Sequence, residues 1–180
     1  MLFLKATPAG IDSNIQLFQK KLFYDLSAKW DIGNLEFDCY GRAYRNVREG
    51  RYIPEVYVGG NEYKEVFFDD SLTVQSFFGV AEQEGYANAV KAQVFLVFMV
   101  NLKSLKPALA HRGDEEVRVD AEKVAVSNPY GFRLNGIYTG LERVFQEYQA
   151  FAGSTLKDCD MHPFHCFRLN FDMNYSIFNC

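Results

Sequence analysis

A chain of 180 residues suits one domain better than two, and 48% hydrophobic residues, with 17 Phe and 11 Tyr among the aromatics, give it ample material for a core. The formal net charge of -4 argues against general nucleic-acid binding, which needs a basic surplus. No apolar run approaches the ~18 residues that span a bilayer, and Met1-Leu2-Phe3-Leu4-Lys5 lacks the length and the basic lead of a signal peptide, so the expected setting is a cytoplasm or a particle assembled there.

The first predicted element is a helix. Ile11, Ile15, Phe18, Leu22 and Leu26 recur at steps of four and three and make one apolar stripe. Asp12 or Ser13 is placed to cap it, after a loop marked by Pro8 and Gly10. Trp30 to Asn34 reads as a turn leading to a short strand at Leu35–Tyr40. Tyr52–Phe68 reads as a β-hairpin, with runs rich in Val, Tyr and Phe on either side of Gly59-Gly60-Asn61. A strand at Ser71–Val80 follows.

Lys91–Leu102 is apolar on both faces, with Ala92, Val94, Leu96, Phe98 and Val100 alternating with Phe95, Val97 and Met99. Such a strand belongs in the middle of a sheet covered on both sides. Helices are expected on one side and more protein, from this chain or a neighbour, on the other. Asp114–Val126 reads as a helix with acids in its first turn, Phe132–Tyr138 as a strand, and Leu141, Val144, Phe145 and Tyr148 as a short amphipathic helix. Finally, Phe167, Leu169, Phe171, Met173 and Tyr175 alternate with Arg168, Asn170, Asp172 and Asn174, the pattern of a strand with one wet face. The clustering predicts a single α+β domain. Its sheet is mixed but largely antiparallel around a long central strand, packed by the N-terminal helix and two further helices.

Three constellations carry possible chemistry. Cys159, His162, His165 and Cys166 are zinc-type ligands within eight residues, although adjacent His165 and Cys166 point to opposite faces of a strand, and His162-Pro163 fits the turn before it. Glu55, Glu62 and Lys64 place two acids and a lysine on adjacent hairpin strands. That set suits a metal-dependent nuclease, in which acids hold Mg²⁺ and the lysine positions the attacking water. A two-residue turn at Gly60-Asn61 puts all three on one face, and a three-residue turn splits them. Alternating charge on a hairpin is also the ordinary composition of a solvated face. Arg42, Arg45, Arg48 and Arg51 recur every three residues among Tyr40, Tyr44 and Tyr52. This reads first as a solvated loop, then as a subunit interface, and last as a nucleic-acid groove. The four scattered cysteines fit reduced thiols rather than a disulfide framework. The chain has no G-x-S-x-G elbow, no phosphate-binding Gly-rich loop and no H-E-x-x-H, so no enzyme is expected and no cofactor is implied.

The segments Ile11–Leu26, Ile53–Asp70, KAQVFLVFMVNLKSLKP at Lys91–Pro107 and HPFHCFRLNFDMNY at His162–Tyr175, in that order, resemble the neck and tail proteins of tailed phages, in particular the tail terminator or tail-completion family. The resemblance implies a virion protein assembled in the host cytoplasm. It would form a ring, commonly sixfold, that ends the tail tube and joins it to head-connector proteins. It implies no membrane partner and no sequence-specific nucleic acid. Within such a ring, the Arg42–Arg51 segment and the acidic helix start at Asp114, Glu115 and Glu116 are candidate opposite-signed partners between subunits. The closing strand runs nearly to Cys180 and leaves no long docking tail, which departs from the family pattern.

Overall fold

The computed structural model describes residues 1–86, 89–109, 111–149 and 161–176. The expected first helix forms as α1 (Ile11–Trp30), and its stripe of Ile11, Ile15, Phe18, Leu22 and Leu26 is buried. Gly10 occupies the cap position without a side-chain hydrogen bond, so neither Asp12 nor Ser13 caps the helix. Asp12 is drawn instead to Lys5 and Tyr44, and the Ser13 hydroxyl donates to the Pro8 carbonyl at 2.8 Å. The helix also absorbs Trp30 from the predicted turn. Its indole Nε1 donates 3.1 Å to Asp120 and thereby ties α1 to α3 (Asp114–Val126).

Two sheets follow. β1 (Phe37–Arg42), β5 (Val74–Tyr86), β6 (Ala89–Asn101), β8 (Phe164–Ser176) and β7 (Phe132–Thr139) form a five-stranded sheet in the order β1-β5-β6-β8-β7. Among the described strands of this sheet only β1 and β5 pair in parallel. β2 (Tyr44–Arg48), β3 (Arg51–Gly59) and β4 (Glu62–Glu65) form a separate antiparallel sheet. Short helices α2 (Leu102–Leu105) and α4 (Leu141–Val144) complete the described elements. The fold is α+β.

The doubly apolar strand is β6, in the middle of the larger sheet. Ala92, Val94, Leu96, Phe98 and Val100 pack with α1 and α3 in one core cluster. Phe95, Val97 and Met99 enter a second cluster with Tyr40, Val56, Val66, Val144, Phe145 and Tyr148. The second cover therefore comes from this chain, from the small sheet and the segment after β7. Each face buries large aromatic side chains, which contribute roughly 1.5–3 kcal/mol apiece by area.

Two expectations need correction. The Arg42–Arg51 stretch is not a loop: Tyr44–Arg48 pairs with Arg51–Glu55 in an antiparallel ladder. Nor is the alternate face of β8 wet along its length. Arg168 is buried, because the β7–α4 segment folds back over that half of the strand and brings Glu147 and Tyr148 against it.

Candidate functional site

The arginine segment forms the most exposed element of the fold. Residues 45 to 52 are exposed without interruption, yet they are ordered as a hairpin that projects from the body. Glu49 and Gly50 make its two-residue tip, both with positive φ (50° and 74°), the backbone that matches strand twist in such turns. Val47 and Tyr52 sit directly opposite each other and remain 59% and 43% exposed. Arg48 and Arg51 also face each other, a like-charge pairing that works against the hairpin. Arg48 is partly compensated by Glu65 at 2.6 Å, and Arg42, at the base, by Asp12 at 3.6 Å. The base is firmly held: Asp12 accepts from Lys5 Nζ and from the Tyr44 hydroxyl, both at 2.7 Å. Burial alone lowers the affinity of Lys5 for its proton, but the bonds to Asp12 and Tyr44 outweigh it and hold the ammonium above its usual range.

The nuclease arrangement does not assemble. Of the two turn lengths left open, the turn at Gly60-Asn61 takes the two-residue form and pairs Gly59 with Glu62. An extra residue at Val58 then shifts the ladder, so that Tyr57 opposes Tyr63, Val56 opposes Lys64 and Glu55 opposes Glu65. Side chains alternate along a strand, so the bulge puts Glu55 on the face opposite Lys64.

The cysteine–histidine cluster is likewise dispersed. Cys159 lies outside the described residues. His162 is exposed, His165 is buried and stacks on Phe167 at 5.6 Å, and Cys166 enters the second core cluster from the other face. Among the described residues no group of three or more His, Cys, Asp or Glu gathers as a metal site.

The acidic helix start is occupied within its own chain. Asp114 lies 3.3 Å from Arg112 and Glu115 lies 2.5 Å from Arg118, while Glu116 bonds His111, which holds its carboxyl below the usual range. These pairs lie at the solvent surface, where such ion pairs contribute little, and each carboxylate keeps further acceptor sites.

One polar site escaped the sequence reading. Arg168 and Glu147 form a bidentate pair, 2.5 and 2.9 Å, with side chains only 3% and 6% exposed. The guanidinium lies 3.9 Å over the Phe95 ring, and its Nε donates 2.7 Å to Asn170. A further buried group controls alkaline stability. Burial pushes the Cys39 thiol from 9.0 up to about 12, against the opposing hydrogen bond from Ser76. The folded state thus keeps a proton that the unfolded state releases. The stabilisation is present in full below pH 9 and is lost as pH rises toward 12, by about 1.4 kcal/mol per pH unit. Tyr40, also raised by burial and by its bond to Asp38, steepens the loss above pH 10. Urea unfolding at pH 8, 9 and 10 is expected to show this fall, and Cys39→Ala to flatten it between pH 9 and 10. An unchanged slope in that variant contradicts the assignment.

The comparisons add no relative to this geometry: no protein-family model matches the chain, and no curated protein matches it significantly.

Proposed function

We propose that the protein is a non-enzymatic assembly subunit that associates with copies of itself through the β2–β3 arm. The ring at the neck or tail end of a tailed phage, where the tail tube meets the head connector, is the setting this reading favours. The observation that carries it is the arm itself: eight consecutive exposed residues, held in strand pairing, presenting an apolar Val47–Tyr52 pair among arginines. Tyr and Arg are the residues most enriched at the energetic centres of interfaces. The arm also keeps two features that reduce its own stability, the facing Arg48–Arg51 pair and Glu49 in the left-handed region. Local rules broken without a local gain mark surfaces selected for another purpose. A rigid arm reaching a different patch on the next copy makes a heterologous contact, the kind that closes into rings.

Sedimentation velocity over a concentration series tests the reading. The wild type is expected to self-associate, and Arg45→Glu/Arg48→Glu to do so at least about tenfold more weakly with an unchanged unfolding midpoint. Association equal to the wild type in that variant rules out the arm.

A further inference from the structure

The small sheet and the segment after β7 cover only part of the second face of the larger sheet. Beyond Phe95 that face turns polar: Gln93 of β6 lies between Glu82 of β5 and Asp172 of β8, and Arg133 of β7 follows in the same row. At the boundary is a cavity of about 140 Å³, walled by Gln93, Asn135, Tyr138, Gln146, Arg168 and Asn170 among others. That volume is close to the ~150 Å³ that accepts a benzene-sized molecule and several times the ~30 Å³ share of one water.

The lining is rich in donors. Arg168 gives three of its N–H groups to Asn170 and Glu147, which leaves two of the five. Asn170 Nδ2 is buried with no hydrogen-bond partner, an arrangement that native proteins rarely leave unanswered. Three primary amides and one phenol supply further donors. Among the described residues no carboxylate lines the cavity. The guanidiniums of Arg143 and Arg168 approach the Tyr138 ring, at 4.0 and 5.9 Å from its centroid. Glu147 balances Arg168, and Arg143 adds an exposed, solvent-screened cation at the rim. Arg133 and Asp172 oppose each other across β7 and β8, and Glu82 is exposed, where solvent screens it.

We infer that this cavity is a binding site for a small carboxylate. A carboxylate has two acceptor oxygens, so one can take a remaining Arg168 N–H and the other the unpartnered Asn170 amide. A dianionic phosphate calls for more positive charge than the site holds. The carboxylate can come from a free small acid or from an Asp or Glu side chain of a second copy of this chain. The site stands independently of the arm, so its test does not depend on the assembly reading.

Propionate titrated into ¹⁵N-labelled protein, with propionamide as the uncharged counterpart, provides the test. The side-chain NH₂ signals of Asn170 and the Nε–H signal of Arg168 are expected to shift and saturate with propionate at millimolar concentration. Propionamide is expected to bind about tenfold more weakly. Gln93→Ala, an exposed position, is expected to weaken propionate about fivefold, the worth of one neutral hydrogen bond. The same signals followed as the protein alone is concentrated identify the source: a saturating shift there, reversed by propionate, assigns the carboxylate to a second copy. No saturable shift in either series overturns the proposal. So does an equal response to propionamide, or an affinity unchanged by Gln93→Ala.

Discussion

Glu147→Leu is expected to destabilise the fold by about 3–5 kcal/mol, because it leaves the Arg168 guanidinium buried without a counter-charge. The guanidinium cannot escape to water. It is pinned between the Phe95 ring at 3.9 Å and the segment carrying Glu147, and its Nε is committed to Asn170. Removing both charges removes the desolvation problem along with the attraction, so Glu147→Leu/Arg168→Met is expected to cost less than Glu147→Leu alone. Urea unfolding of the two single variants and the double variant measures this directly. A Glu147→Leu variant within about 1 kcal/mol of wild type, the range of an exposed pair, shows that the pair is solvated and the site misread.

A second large loss is expected at Gly79. It pairs directly with Phe95 across β5 and β6, and the Phe95 ring lies flat over the space where a side chain belongs. A Cβ at position 79 falls 2.6 Å from Phe95 Cε1 and nearer still to Cζ and Cε2. An aromatic ring elsewhere swings aside, but Phe95 is 1% exposed and has Arg168 on it and Tyr148 edge-on at 6.2 Å. Gly79→Ala is therefore expected to cost about 3 kcal/mol, the upper range for overpacked cores. Gly79→Ala/Phe95→Leu is expected to regain part of that loss, since the smaller side chain vacates the overlap. If the two substitutions simply add in thermal or urea unfolding, the collision is not what destabilises Gly79→Ala.

These sites show where the sequence was legible and where it was not. β6 announced its central place because both faces are apolar, and only a strand covered on both sides tolerates that. α3 was legible to the residue, since the acids of its first turn mark its start and Asn128-Pro129 follows its end. Gly59-Gly60-Asn61 marked the turn but left its length open, and the bulge at Val58 was not legible at all. A bulge is set by how the small sheet meets the larger one and leaves no periodic trace, yet it alone decided which side of the hairpin Glu55 occupies. β2 read as a loop because Arg45, Asn46, Val47 and Arg48 are exposed and carry no alternation, their strand pairing coming from β3 and not from burial. Arg168 read as solvent-facing because alternation reports polarity, while its cover arrives from a segment 21 residues earlier in the chain. Glu147 completes the site, and no local pattern links the two positions.

The most direct test of the assembly reading is to place a photoreactive residue at Val47, on the exposed face of the arm, and irradiate the protein at a concentration where it self-associates. Mass spectrometry of the products then identifies what the arm touches. The account predicts cross-links from position 47 to a peptide of a second copy, distinguished from intrachain links by mixing ¹⁴N and ¹⁵N protein, and predicts their loss with Arg45→Glu/Arg48→Glu. Links confined to the same copy, in a sample shown to be oligomeric, contradict it and place the contact between subunits elsewhere.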